Sequence, residues 1–244
     1  MIRLFQFPST LKGTPNASPF CVKLECALRL GGIPYEIEQV PNPAGGPKHK
    51  VPFVEIDGAR IGDSALILDL LATRNGLDLD RGLDARKRAE SHALQRMIEE
   101  RLYWVMVYSR WVEPTGWNIV RPLFFASLPW PMRRLVPRMA RKTVLRKLDG
   151  HGIGRHSREE VFALGARDLA ALSDLLGDNP FLFGDRPTLA DATLFGFLVN
   201  IIGPDVPSPL KDAALGHANL VAHTERMGEI FASARQPRRF QAAA

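Results

Sequence analysis

The stretch SPFCVKLECALRLGGIPYE, residues 18–36, decides the fold of this 244-residue chain. It begins with a Ser-Pro pair, which favours a helix start because serine is a good N-cap and proline loses no needed hydrogen bond at the first helical position. Apolar side chains lie on both flanks of the helix, and a Gly-Gly pair ends it. Strand patterns precede the helix at 2–7 and follow it at 35–40. The stretch therefore predicts a βαβ unit.

The next stretch, KVPFVEIDGARIGDSALILDLL at residues 50–71, predicts a β-hairpin followed by a second helix. Segments 51–56 and 59–61 have strand character, and the Asp-Gly pair between them is a typical hairpin turn. An Asp-Ser pair then caps a helix that runs to about residue 74. The order β-α-β followed by β-β-α is that of a thioredoxin-like α/β domain, which we assign to residues 1–76.

The rest of the chain has helical periodicity and no further strand pattern. We therefore expect an all-α helical bundle domain over residues 84–240, joined to the first domain by a linker near 76–82. The predicted helices span 85–112, 131–148, 158–177, 188–202 and about 218–233.

The composition is that of a globular protein, with 45% hydrophobic and 24% charged residues. The longest run without a charged residue, 192–204, is shorter than the ~18 apolar residues of a membrane span, and the N-terminus leads into a strand pattern rather than a secretory leader. The two cysteines fit neither a disulfide framework nor a zinc site. We expect a cytoplasmic protein without a metal.

The positive charge is concentrated in one segment. The chain has a net charge of +6, but residues 133–158 contain nine Lys or Arg and one acid, so the remainder sums to −2. This distribution argues against nucleic-acid binding. Residues 133–148 form an amphipathic basic helix, which would lie on an anionic membrane or a partner, or would simply be a solvated face of the bundle.

Ser18 is the first candidate catalytic residue, because free amides and the helix dipole at a helix N-terminus favour an anion. A dithiol oxidoreductase would need cysteine at this position to pair with Cys21. The serine hydroxyl can instead donate a hydrogen bond to the thiolate of a bound ligand such as glutathione, or serve only as an N-cap. Cys21 itself is expected to be a buried structural cysteine, with a reactive thiol as the alternative.

Two further pairs complete a groove suited to a γ-glutamyl tripeptide. Val51-Pro52, after Lys50, marks an edge strand whose backbone is open to a peptide, with a proline suited to a cis bond. Asp63 and Ser64, at a helix start, suit the ammonium and carboxylate of an α-amino acid. Each pair alone is also an ordinary strand junction or helix cap, and their order is what favours the groove.

These motifs resemble the N-terminal domain of glutathione transferases, and the Ser-Pro-Phe serine is similar to that of the tau class. Four later motifs resemble the failed-axon-connections/metaxin-like branch of the superfamily. They are RLYWVMVYSRW (101–111), GIGRHS (152–157), FLFGDRPTLADATLFGFL (181–198) and HANLVAHTERM (217–227).

The resemblance implies a transferase that uses glutathione as co-substrate for attack on a hydrophobic electrophile, in a homodimer, as in detoxification. Ser18 would support the thiolate, Val51 and Pro52 would clamp the peptide backbone, and Asp63 and Ser64 would hold the γ-glutamyl end. The basic side chains of Lys50 and Lys48 would meet the glycine carboxylate. The branch also contains adaptor and import proteins, so a non-catalytic protein- or membrane-association module is the first rival. A glutathione-dependent thiol enzyme that uses Cys21 is the second.

Two more sets of residues belong to the helical domain. Thr188 and Asp191 form a capping box that we assign to folding. Tyr108 and Trp111 lie on one face of an aromatic-rich helix, which is either bundle core or, by the resemblance, a wall of the electrophile pocket.

Overall fold

The computed structural model describes residues 1–234 and 238–239. A mixed sheet has the strand order β4-β3-β1-β2-β5, with β1 parallel to β2 and antiparallel to β3. Strand β4 is antiparallel to β3, and β5 is parallel to β2. The strands are β1 (Ile2–Gln6), β2 (Tyr35–Gln39), β3 (Phe53–Ile56), β4 (Ala59–Gly62) and β5 (Arg238–Arg239).

Two helices pack on this sheet, α1 (Pro19–Leu30) between β1 and β2, and α2 (Ser64–Asn75) after the hairpin. Leu4, Leu24, Val54 and Ile67 are fully buried in the core between them. The predicted βαβ-ββα order is confirmed. The expectation that no strand follows residue 84 is wrong at β5, because a two-residue strand is too short to show an alternating pattern.

The second half is helical, as predicted, with eight further helices in the part of the chain that the structure describes. They are α3 (Ala85–Met97), α4 (Tyr103–Trp111), α5 (Pro114–Phe124), α6 (Met132–His151), α7 (Arg158–Leu176), α8 (Leu189–Ile202), α9 (Pro209–Leu215) and α10 (Ala218–Ser233). The predicted helix 85–112 is continuous through α3 and α4, with one π-helical turn at Ile98–Leu102. Helices α5 and α9 were not predicted, because each is short and begins at a proline.

Helix α8 joins the two halves of the molecule by packing directly on α1. Gly196 makes this close approach possible, because a Cβ atom there would lie 2.7 Å from the Pro19 carbonyl oxygen and 3.0 Å from the Lys23 amide nitrogen. Helix α8 is buried almost throughout. The start of α1 is therefore held by a rigid, buried helix of the second half. Within the described residues, no helix combines the length and apolarity that a bilayer span requires.

Candidate functional site

Ser18 lies at the N-terminus of α1, half-buried and in extended backbone conformation. Its Oγ accepts a hydrogen bond from the Cys21 amide at 3.4 Å. Ser18 is therefore an N-cap, which is one of the two roles that the sequence predicted for it. The cap uses the oxygen only as an acceptor, and the O–H proton stays able to donate. The position therefore combines a hydroxyl donor with the positive end of the helix dipole.

Asn16 fixes the backbone at Ser18. Its Oδ1 accepts from the Ser18 amide at 3.0 Å, and its Nδ2 donates to the Phe7 carbonyl at 2.7 Å. Asn16 is itself 1% exposed. The loop between β1 and α1 is thus tied to the end of β1 on one side and to the serine on the other.

Arg110 of α4 is the strongest support of this loop, and nothing in the sequence singled it out. Its guanidinium donates to the Ala17 carbonyl at 2.8 Å, and also to the backbone and side-chain oxygens of Asn200. Asn200 in turn donates to the Asn16 carbonyl at 3.0 Å. Burial lowers the pKa of Arg110 to about 10, which still leaves the group charged at neutral pH. Two helices from the second half therefore hold the residues before Ser18.

Cys21 lies one turn into α1 and is fully buried. Burial raises the pKa of its thiol to about 12, although the Ser18 side chain and the Phe7 backbone favour the thiolate. The pKa of the Cys26 thiol is raised by burial as well. Because a nucleophilic cysteine needs an accessible thiolate, this geometry opposes the alternative in which Cys21 is the reactive group.

The sheet brings the three candidate segments to one end of the molecule. Phe5 of β1 pairs with Phe53 of β3, and Phe53 pairs with Gly62 of β4. This row lies at the C-terminal end of β1, at the N-terminal end of β3 and at the C-terminal end of β4. The Ser18 loop after β1, Val51-Pro52 before β3 and Asp63-Ser64 after β4 therefore leave the sheet at the same edge.

The expectation that Val51-Pro52 marks an edge strand is wrong, because β3 lies between β4 and β1 in the sheet. Val51 and Pro52 themselves precede the strand, which begins at Phe53.

The segment before β3 has the features expected of a backbone clamp. The Val51-Pro52 peptide bond is cis, as its sequence suggested. Val51 is half-buried and Pro52 is buried. Lys48 and Lys50 are both exposed, so their ammonium groups are available to an anion. Lys48 has φ 59°, in the left-handed region, within the turn that leads to the clamp.

Asp63 and Ser64 begin α2, as predicted. The Asp63 carboxylate is exposed and accepts from the Ala65 amide at 3.0 Å, while Ser64 is 5% exposed. Asp63 has φ 86°, a left-handed conformation that costs about 1–3 kcal/mol for a residue other than glycine. This strained turn places an acidic group and Ser64 at the same edge of the sheet as Ser18, while the Ala65 and Leu66 amides donate to Asp63 itself.

A buried ion pair that sequence reasoning missed lies behind this edge. Lys23 of α1 donates to Glu99 and to Gln95, and all three side chains are buried. Burial lowers the pKa of Lys23, while the carboxylates of Glu99 and Asp63 favour its charged form. The pair links α1 to the continuous helix α3–α4, and the Lys23 ammonium also interacts favourably with Asp63. Its only sequence signal is a lysine that stands between two apolar residues of α1, Val22 and Leu24.

The two predicted pocket residues have different surroundings. Trp111 stacks at a tilt on Trp117, with ring centroids 5.3 Å apart, in a cluster that also contains Leu11 and Ala17 of the Ser18 loop. Tyr108 instead belongs to the core of the helical half, where its ring meets Phe162 edge-on. The structure therefore brings Trp111, but not Tyr108, into the cluster that adjoins the loop.

The capping box of α8 is deeply buried. Asp191 accepts from the Thr188 amide and hydroxyl through Oδ2, and from the Leu182 amide and His223 Nε2 through Oδ1. Asp191 and His223 are 0% exposed. Four donors on one buried carboxylate identify this cluster as a folding element, which lies in α8 apart from the Ser18 loop. Among the described residues, no group of three or more His, Cys, Asp or Glu is placed to hold a metal ion.

Comparison with known families finds glutathione S-transferase domains in both halves. Residues 19–116 match the model of the glutathione S-transferase N-terminal domain, and residues 165–227 match the model of the glutathione S-transferase C-terminal domain.

Three curated proteins show the same relationship. The chain is 34% identical over 242 residues to Failed axon connections of Drosophila melanogaster, which covers 93% of this chain but only 57% of that protein. It is 33% identical over 225 residues to isoprene-epoxide–glutathione S-transferase of Rhodococcus sp. strain AD45, with 88% of this chain and 93% of that protein covered. It is 28% identical over 225 residues to metaxin-3 of Xenopus laevis, with coverage of 89% and 70%.

Solved structures agree on the fold. A glutathione transferase of Phanerochaete chrysosporium superposes with a TM-score of 0.67 at 18% identity, over 94% of this chain and 96% of that one. A glutathione S-transferase of Ceriporiopsis subvermispora, solved in complex with glutathione, gives a TM-score of 0.62 at 18% identity, over 94% and 97%.

Proposed function

The chain belongs to the glutathione S-transferase family, and from that membership we propose that it is a transferase in which Ser18 activates the thiol of glutathione. The observation that carries the proposal is the position of Ser18. Its hydroxyl stands at the N-terminus of α1, at the edge of the sheet where Val51-Pro52 and Asp63-Ser64 also emerge.

Ser18 needs to lower the pKa of the bound thiol by only a small amount. A hydrogen bond to a charged group contributes about 1.5–3 kcal/mol. The helix N-terminus adds about 0.3–1 kcal/mol for a nearby anion. Because one pKa unit corresponds to about 1.4 kcal/mol, these two contributions would lower the pKa of a bound thiol by roughly one to three units. That shift is enough to populate the thiolate at neutral pH.

The remaining contacts of glutathione follow from the edge of the sheet. The Val51 backbone would pair with the tripeptide, and Pro52 holds the strand end in place. Asp63 would accept from the γ-glutamyl ammonium, and the Ser64 hydroxyl and amide would bind its carboxylate. Lys50, assisted by Lys48, would meet the glycine carboxylate. These are ordinary ion pairs and backbone hydrogen bonds.

The aromatic cluster beside the loop supports an apolar second substrate. Trp111 and Trp117 pack there with Phe124 and Phe125, next to Ala17. One relative is named for the conjugation of an isoprene epoxide, so a small apolar epoxide is the first electrophile to assay. In that reaction the thiolate sulfur forms a bond to an epoxide carbon, the carbon–oxygen bond breaks, and the alkoxide takes a proton from water. A homodimer in the cytoplasm completes the proposal.

The rival function is a non-catalytic association module. Its support is the similarity to Failed axon connections and to metaxin-3, together with the exposed basic surface of α6. The two functions differ in a direct way, because an association module has no need to bind glutathione. Isothermal titration calorimetry with glutathione distinguishes them, and absence of binding at millimolar ligand would favour the module.

Three substitutions test the role of Ser18 beyond capping. S18A removes both the cap and the donor, while S18D keeps an N-cap but has no hydroxyl. S208A is the matched control, because Ser208 caps α9 in the same way, through the Lys211 amide. We expect S18A to lower kcat at least tenfold with glutathione affinity nearly intact, S18D to lower kcat at least as much, and S208A to leave kcat unchanged. Equal turnover in S18D and the unmodified protein would remove Ser18 from the mechanism.

A further inference from the structure

Helix α6 carries exposed apolar side chains on the side that faces away from the helical core. Met132, Leu135 and Met139 are three and four residues apart, so they form one stripe along the helix. Leu135 is 61% exposed and Met139 is 60% exposed. Trp130, two residues before the helix begins, is 76% exposed. Single exposed apolar residues are common, but four gathered at one end of a helix indicate a binding surface.

This stripe is a second apolar face, distinct from the one that folding uses. Pro137 and Leu148 are buried, and Val144 is half-buried against the helical core. With about 3.6 residues per turn, these three lie on the opposite side of the helix from Leu135 and Met139. The helix is therefore apolar on its inner side for packing and apolar on its outer side without any described neighbour.

Five cations surround the stripe, each exposed and without an ion pair among the described residues. They are Arg134, Arg138, Lys142, Arg146 and Lys147. The only acid on the helix is Asp149, in its last turn, where it pairs with Arg155. The outer side of α6 therefore combines apolar side chains with a dense positive charge.

Arg141 lies within the predicted basic helix, residues 133–148, but its side chain is not free in solvent as that prediction implied. It donates to the carbonyl oxygens of Trp111 and Val112 at 2.8 and 3.0 Å, and it lies over the Trp117 ring. Because the last carbonyls of α4 accept from it, Arg141 fixes α6 to the rest of the molecule. The outer face is thus held in place and is presented without any rearrangement of the fold.

We propose that Trp130, the stripe of Met132, Leu135 and Met139, and the five cations form a docking surface for an anionic lipid bilayer. Helices that lie in a membrane interface combine these features: apolar side chains that enter the acyl boundary, an interfacial tryptophan, and Lys and Arg that reach lipid headgroups. A bilayer fits this surface better than an acidic protein does, because the stripe projects from the outer side of a helix. Mobile lipid headgroups can then meet all five cations at once.

Co-sedimentation with vesicles tests the proposal on the full chain. We expect binding to mixed phosphatidylcholine and phosphatidylserine vesicles and none to phosphatidylcholine alone. Each cation near an anionic surface strengthens binding about fivefold, so K142E/R146E is expected to weaken binding at least about 25-fold. L135S/M139S keeps the charge and is expected to weaken it about tenfold, because two apolar side chains no longer enter the interface.

Matched controls place the same substitutions elsewhere on the surface. L175S/L215S replaces two exposed leucines of α7 and α9, and K87E/R167E reverses two exposed cations of α3 and α7. Both control pairs are expected to bind the mixed vesicles as the unmodified chain does, and thermal melting shows that all variants are folded. The proposal is overturned if the unmodified chain does not sediment with mixed vesicles, in which case an acidic protein becomes the better partner. It is also overturned if the control pairs lose binding equally, or if L135S/M139S binds undiminished, which would mean adsorption by charge alone.

Discussion

The guanidinium of Arg110 lies 2.8 Å from the carbonyl oxygen of Ala17, the residue directly before Ser18. Arg110 comes from α4, in the helical half, and its other bonds go to Asn200 of α8. A buried cation with backbone carbonyls as partners thus joins three separate parts of the chain. The consequence is that the helical half determines where the Ser18 hydroxyl lies.

Replacing Arg110 with lysine should show this dependence. R110K keeps the positive charge, but a single ammonium cannot reach both Ala17 and Asn200, so oxygens lose partners at a cost of about 1–3 kcal/mol. We expect a lower Tm together with a higher apparent pKa in the pH profile of kcat, because the Ser18 loop is no longer fixed. R226K is the control, since Arg226 also donates to a backbone carbonyl, that of Pro180. A pH profile that shifts equally in both variants would contradict the positioning role.

The capping boxes of α7 and α8 should differ greatly in their contribution to stability. Asp191 accepts four hydrogen bonds with no exposure, so D191A leaves buried donors unpaired and should lower the free energy of unfolding by about 3–5 kcal/mol. Glu160 occupies the same position in the exposed box of α7. E160A should cost only about 1 kcal/mol. Urea denaturation of both variants measures the difference, and similar losses would show that burial adds nothing at Asp191.

A methyl group at Gly196 should separate α1 from α8. The new Cβ atom would lie 2.7 Å from the Pro19 carbonyl, too close for any real contact, so the start of α1 must move. We expect G196A to lower both Tm and glutathione affinity. G150A is the control, because the space around Gly150 in α6 is open and alanine favours a helix by about 1 kcal/mol. Thermal melting measures the change in Tm, and calorimetry measures the change in glutathione affinity. Unchanged glutathione binding in G196A would show that the site does not depend on the contact between α1 and α8.

The thiol of Cys21 should be inert in the folded protein. Its pKa is raised to about 12 by burial, so the thiolate is scarce at pH 8 and has no access to a reagent. We expect no labelling by a disulfide reagent under native conditions and labelling of both cysteines in denaturant. Because the folded state holds this proton more tightly than the unfolded state, stability should also fall as the pH rises above 9 towards 12. Rapid native labelling of Cys21, lost in C21S, would restore the thiol-enzyme alternative.

The residues that could be predicted from the sequence are those with local signals. Ser18, Val51-Pro52 and Asp63 each stand at a helix start or strand junction, and hydrophobic patterns gave the elements around them. Their meeting at one edge follows from the pairing of Phe5, Phe53 and Gly62, which the βαβ-ββα order implies.

The supports of the site could not be predicted, because their partners are far apart in the chain. Arg110 and Asn200 are separated by 90 residues, and neither breaks a helical pattern. Arg141 looked like a solvated cation because its spacing matches that of its neighbours, yet it caps the end of α4. Tyr108 and Trp111 are three residues apart, but the rotation of one helix directs them to different clusters.

The row Phe5–Phe53–Gly62 belongs to the hydrogen-bonded sheet, whereas the candidate site residues lie outside the strands. None of Ser18, Val51 and Asp63 belongs to a strand, so their side chains can change while the ladder of backbone hydrogen bonds persists. A collection of substitutions at position 18 would therefore sample different thiol-activating groups on an unchanged frame. Such a frame lets new reactivity evolve one residue at a time, without passing through unfolded intermediates.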